Sequence, residues 1–267
     1  MDFRNQVILI TGASSGIGRR LAEDLAERGA VIAGCGRSPE RLASMLAAVK
    51  DRSPASAVFP CDVGRREEVE RMAGEVLDRF GRIDVLVNNA GIGMRMPFSE
   101  TPLETIEEIM RTNYLGTVYC TRAVLPSMVA RGRGHIVNIS SVAGKIGALN
   151  MAGYCASKFA VNGLSESLCH ELRPLGISVS VICPGPVRTV FNREFADVPP
   201  RSPPALVIGV EAVSRAVIAA LETRKPELVL PRWLAVACWL KRIAPNLFRV
   251  VYHRQFGLYA SRSRRSP

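Results

Sequence analysis

Seven short runs of apolar, mostly β-branched residues punctuate the chain, at residues 7–11, 30–35, 57–61, 85–88, 135–140, 177–183 and 227–230. Their length and composition predict β-strands. The stretches between them are longer and amphipathic. They predict helices beginning near Gly16, Pro39, Arg65, Thr101, Gly153 and Val210, several of them opened by Ser, Asp or Pro in capping positions. Runs such as VILI and VLV are apolar on successive residues, so both faces of those strands must be covered. Strands that alternate with helices and are buried on both faces predict an α/β class protein. The expected architecture is a doubly wound parallel β-sheet of about seven strands, with helices on both faces, in a single domain. Residues 191–204 carry four prolines and read as a loop inserted after the sixth strand.

Composition narrows this picture. With 267 residues, 48% hydrophobic and 22% charged, the chain has enough apolar surface for one sizeable core. Its seven cysteines are scattered and odd in number, with no CxxC pair and only three histidines beside them. That distribution fits reduced thiols in a cytoplasmic setting and predicts no metal site. The first strand starts at Val7, with no basic region, apolar stretch and cleavage site before it, so no secretory signal is read. The formal charge is +11, and its placement matters more than its size. Residues 224–267 hold ten Lys or Arg against Glu227 alone, so +9 of the +11 falls there and only +2 on the first 223 residues.

Immediately after the first strand comes TGASSGIG, with glycines at 12, 16 and 18, followed by the helical RRLAEDLAERG. A strand, a glycine turn and a helix in that order let backbone N–H groups and the helix dipole face a pyrophosphate, the arrangement of a Rossmann-type nucleotide site. The spacing differs from GxGxxG. Further on, YCASK sets Tyr154 and Lys158 four residues apart, on one face of a helix.

TGASSGIG at 11–18, NNAG at 88–91, Asn113, NISS at 138–141, YCASK at 154–158 and PG at 184–185 together resemble the short-chain dehydrogenase/reductase family, in order across about residues 5–230. The resemblance implies that Tyr154 is the catalytic acid. It implies that Lys158 assists Tyr154 and holds the nicotinamide ribose. Ser141 would orient a substrate carbonyl, with Ser140 as the competitor for that role, and Asn113 would kink its helix and help hold a proton-relay water. The residue types suit the chemistry, because a carbonyl that receives hydride becomes an alkoxide and needs a proton donor in reach. A phenol ionises near pH 10, and a neighbouring ammonium is expected to bring that value down.

By the same resemblance the cofactor would be lined by Gly12, Ser14, Ser15, Gly16, Ile17, Gly18, Asp62, Val63, Asn89, Ala90, Gly91, Pro184, Gly185, Val187 and Thr189. After the second strand the sequence reads GCGRSPE, with no acid at Gly36 and Arg37 next. NAD-binding folds place an acid there for the ribose hydroxyls, whereas a guanidinium suits a 2′-phosphate. NADP(H) is therefore the expected cofactor, with NAD(H) the alternative, since Ser15 is not the basic residue that strong NADP users in the family carry.

The expected domains are a reductase domain over 1–230, with a substrate lid at 190–209, and a basic, Trp-containing extension over 231–267. The extension's longest uncharged run, 233–240, is too short to span a bilayer. It can lie on an anionic membrane or pack on the protein itself or a partner subunit. The residues and the resemblance together imply an NADPH-preferring carbonyl reductase acting on a hydrophobic, lipid- or steroid-like ketone or secondary alcohol as its small-molecule substrate, with a non-catalytic NADP sensor or scaffold as the alternative. The resemblance implies a homo-oligomer, dimer or tetramer. The expected location is cytoplasmic, with peripheral contact at the inner face of a membrane, and no nucleic-acid module is recognisable.

Overall fold

The computed structural model describes residues 3–189, 207–252 and 254. Seven parallel strands form one sheet in the order β3-β2-β1-β4-β5-β6-β7. The strands are β1 Val7–Thr11, β2 Val31–Gly36, β3 Ala57–Pro60, β4 Val85–Asn88, β5 Gly134–Ile139, β6 Ile177–Pro184 and β7 Glu227–Leu230. Each lies within a residue or so of the run that predicted it. The connecting helices are α1 Gly16–Ala26, α2 Pro39–Lys50, α3 Arg66–Phe80, α4 Leu103–Met110, α5 Gly116–Ala130, α6 Ala152–Leu172 and α7 Val210–Thr223.

Strand β1 shows why its residues are apolar without alternation. Ile8 and Ile10 pack with α1, α2 and α7 on one side, against Leu25, Met45 and Val217. Val7 and Leu9 face the other side, in a core with Val69, Val124 and Met128 from α3 and α5. Period-two side-chain direction delivers successive residues to opposite helical layers.

The helix expected from Thr101 is more elaborate. A 3₁₀ turn at Phe98–Glu100 precedes α4, and a π-helical turn at Arg111–Leu115 separates α4 from α5. The insertion turns the Asn113 side chain inward, where its carbonyl Oδ1 accepts from Ile92 N at 2.8 Å and its amide donates to Ile92 O and Ser157 Oγ, each at 2.9 Å. After β7 the chain continues into α8, Trp233–Ile243, and a further helical stretch over residues 245–252. Most of the lid expected at 190–209, residues 190–206, lies outside the described residues.

On β5, His135 is buried and its Nε2 lies 2.8 Å from Ser180 Oγ, whose own proton goes to Lys225 O at 2.6 Å. The hydroxyl is therefore an acceptor for Nε2–H, and the ring is neutral. Burial, with Arg224 nearby, pushes its pKa down from 6.5 to about 4. The unfolded chain binds the extra proton between those values, so this group removes stability as pH falls from 6.5 towards 4. The full difference corresponds to about 3 kcal/mol. Urea unfolding at pH 7.5 and pH 4.5 is expected to show a smaller acid loss in His135→Gln than in the native chain.

Candidate active site

The carboxyl ends of β1 to β6 open onto a cleft of about 1280 Å³, the position that a doubly wound sheet reserves for ligands. Its walls include Gly12, Ser14, Ser15, Gly16, Ile17, Arg37, Asp62, Val63, Asn89, Ala90, Gly91, Ser141, Tyr154, Lys158, Pro184, Gly185, Val187 and Thr189. Of the expected site residues, Gly18 and Asn113 stand behind the wall.

The glycine turn is held from β4. Gly12 has φ +66°, and a Cβ there would lie 2.9 Å from Asn89 Nδ2. At Gly18 a Cβ would sit 2.4 Å from Gly12 O, so helix α1 can start this close to the turn only without a side chain. Asn89 Nδ2 donates to Thr11 O and Gly12 O at 2.9 and 3.2 Å, while Thr11 Oγ1 accepts from Asn89 N and Ala90 N, both at 3.0 Å. The side chain of Asn89 therefore braces the turn. Helix α1 begins with no side-chain cap and no acid in its first turn. Its first N–H groups and dipole fit a pyrophosphate.

At the far end of the cleft Arg37 follows β2, and Arg41 joins it from the first turn of α2, where Ser38 caps the helix by accepting from Arg41 N at 3.3 Å. Asp62 holds the opposite side, its Oδ1 accepting from Gly64 N at 2.9 Å.

The reactive groups sit where β5 meets α6. Ser140 and Ser141 point apart. Both line the cleft, but the Ser140 hydroxyl is turned to Lys158 O, to which it donates at 3.1 Å, whereas the Ser141 hydroxyl accepts from Ala143 N at 3.0 Å, reaches Pro184 O at 3.3 Å and hydrogen-bonds the Tyr154 phenol. Ser141 is thereby the serine beside the phenol. Lys158 Nζ donates to Ile139 O at 2.9 Å and lies 5.8 Å from the Tyr154 ring centre. Asn113 and Ser157 fasten this end of α6 to the Ile92 loop, the Ser157 hydroxyl donating to Tyr154 O at 2.8 Å.

The sequence leads one to expect a phenol pKa lowered by the lysine. Burial instead pushes Tyr154 up from 10 to about 12, against the Ser141 hydrogen bond that lowers it. Burial also pulls Lys158 down from 10.5 to about 8. In the protein alone desolvation is the largest cause of both shifts, while the ammonium is engaged by the Ile139 carbonyl. The phenol is accordingly a protonated donor at neutral pH.

Several wall residues were not marked by the sequence motifs. Arg41 is one, readable only as the residue four after Arg37. Arg95 is another, its Nη2 3.4 Å from Met151 Sδ. The third group comes from the tail: Trp233, Leu234, Ala237, Phe248, Val251 and Tyr252 close the substrate end.

The family model described as short chain dehydrogenase matches residues 6–198. Dehydrogenase/reductase SDR family member 7B of Bos taurus is 35% identical, over 98% of this chain and 82% of its own length. The uncharacterized oxidoreductase YxnA of Bacillus subtilis is 32% identical, over 94% of this chain and 74% of its own. Among solved structures, a short chain dehydrogenase/reductase from Burkholderia phymatum in complex with NAD superposes with a TM-score of 0.84 at 26% identity, covering 92% of this chain and 96% of that one. Levodione reductase does so with a TM-score of 0.80 at 29% identity, covering 88% and 99%. A family match over most of the chain, joined by relatives a third identical along nearly all of it, establishes that the protein belongs to the short-chain dehydrogenase/reductase family.

Proposed function

We propose that this NAD(P)-dependent oxidoreductase prefers NADPH and transfers hydride between the nicotinamide and a hydrophobic ketone or secondary alcohol. The observation that carries the reading is the Tyr154 phenol, hydrogen-bonded to Ser141 on the cleft wall with Lys158 one helical turn behind it. The nicotinamide, when bound, supplies or accepts the hydride. The chain's own residues do the rest. The Ser141 hydroxyl orients the carbonyl oxygen, Tyr154 gives that oxygen its proton, and Lys158 holds the ribose hydroxyls. A sensor or scaffold without catalysis needs no such donor.

The substrate end supports a hydrophobic partner, since Ile92, Leu149, Met151, Leu234, Phe248 and Val251 line it. The preference for NADPH rests on Arg37 and Arg41, two guanidiniums at the adenosine end where NAD users carry an acid. The same proposal includes a homo-oligomer of two or four copies, as the family generally forms, and a peripheral place at the cytoplasmic face of a membrane.

The test is NADPH oxidation with a panel of steroid, acyl and sugar ketones. Turnover strongest on apolar ketones is expected, and none on any ketone defeats the reading. Arg37→Asp is expected to shift the NADPH to NADH affinity ratio roughly ten- to a hundredfold, the loss of one charge-assisted pair worth about 1.5–3 kcal/mol. Titration of both cofactors measures it. An unmoved ratio transfers the phosphate contact to Arg41.

A further inference from the structure

We propose that the outer side of the two C-terminal helical stretches is a docking surface for an anionic lipid membrane, which loads lipid-dissolved substrate through the rim that this surface shares with the cleft. The loading half rests on the hydride-transfer reading above; the docking half does not.

Trp233, Val236, Trp239 and Ile243 recur every three or four residues along α8 and so share one helical side. All four are exposed, Val236 by 64% and Trp239 by 61%. The next helical stretch adds exposed Leu247, Val250 and Val251. The other exposed large apolar side chains among the described residues are spread along the sequence from Phe98 to Leu175, and of these Phe159 lies beside Lys241 of α8. A cluster this dense on a water-facing surface needs a partner.

The opposite side of α8 is already engaged. Leu234 and Ala237 line the cleft, and Lys241 Nζ donates to Lys145 O at 2.5 Å and lies 5.0 Å from the Phe159 ring centre. The helix is therefore held with Val236 and Ile243 outward, and Trp239, though 61% exposed, also borders a smaller cavity with Lys145 and Phe159. Trp233 and Val251 belong to both surfaces, being exposed and also part of the cleft wall. The apolar face thus continues into the substrate chamber without a polar break at those two residues.

Charge selects the occupant. Arg232, Arg242, Arg249 and Arg254 are exposed on the same segment, and Arg262, Arg264 and Arg265 follow in sequence. Glu227, the one acid after Arg224, is paired with Lys145 at 2.7 Å. A second copy placed face to face would set one +9 segment against another, whereas acidic lipid headgroups neutralise the arginines while the tryptophan rings sit at headgroup depth. Among the described residues no helix is long and apolar enough to cross a membrane, and α8, with 11 residues, lies along the surface instead.

The experiment is co-sedimentation of the NADP-loaded full chain with phosphatidylcholine vesicles, with and without phosphatidylserine, at low and high salt. The native chain is expected to pellet with the acidic vesicles, partly released by salt. Arg242→Glu/Arg249→Glu is expected to weaken partitioning more than about tenfold at low salt. Val236→Ser/Trp239→Ser/Leu247→Ser is expected to abolish the salt-resistant part and to lower turnover of a vesicle-dissolved ketone severalfold, while turnover of a water-soluble ketone stays unchanged. A native chain that remains in the supernatant overturns the docking proposal. So does a triple-serine variant that still pellets but separates an oligomer on size exclusion, which would make this face a contact between copies. Pelleting without turnover of any ketone leaves docking standing and defeats the hydride-transfer reading, so the two failures are distinct.

Discussion

Replacing Tyr154 with phenylalanine is expected to leave a folded protein that binds NADPH and reduces ketones about 10²–10⁴-fold more slowly, the range for losing a positioned proton donor. The ring is buried to 9% exposure, and the substitution removes only the hydroxyl that Ser141 contacts, so packing is retained. Stability is expected to fall by about 1 kcal/mol, one hydrogen bond's worth. Single-turnover rates alongside cofactor titration separate the two effects. A kcat near that of the native chain removes Tyr154 from the chemistry.

Lys158→Met is expected to lower kcat and weaken NADPH binding together, because one ammonium serves both the ribose hydroxyls and the region around the phenol. Its pKa of about 8 gives the native enzyme a signature that the variant lacks. In ketone reduction, kcat/KM is expected to decline as pH rises through about 8, the free-enzyme value at which the ammonium loses its proton. That limb disappears in Lys158→Met. Stability moves the other way. The folded value lies below the ordinary 10.5, so the unfolded chain holds the extra proton between about 8 and 10.5, and this group adds stability as pH rises across that window. Tyr154, raised from 10 to about 12, opposes it at higher pH, removing stability between those values. A cofactor affinity unchanged in Lys158→Met would confine the lysine to the phenol.

The sheet was legible in the sequence because burial on both faces writes itself as unbroken apolar runs, and β1 shows this with Val7 and Leu9 on one side and Ile8 and Ile10 on the other. Tyr154 and Lys158 were legible because helical spacing fixes their relation locally. What stayed hidden depends on distant groups. Whether Ser140 or Ser141 presents its hydroxyl to the Tyr154 phenol follows from the phase of one strand's pleat, and a shift of a single residue exchanges them. The irregularity at Asn113 was implied by the family resemblance alone, since a π turn inserts a residue into a hydrogen-bond ladder without leaving a break in helix-forming composition. The rise of the Tyr154 pKa follows from burial, which no neighbour in the sequence reveals. The tail's basic, Trp-containing make-up was visible, but not that Leu234 and Ala237 line the cleft while Val236 and Trp239 are exposed.

The sheet reaches its seventh strand at Leu230, and part of the wall at the substrate end, from Trp233 to Tyr252, comes later, while Ile92, Leu149 and Met151 come from before it. No strand is threaded through that segment. The wall of the substrate end is consequently shared between the sheet domain and the stretch that follows it. One recombination junction after Pro231 would give the same glycine turn, serine, tyrosine and lysine a partly new chamber wall, provided that the contacts Lys241 makes with Lys145 and Phe159 were matched.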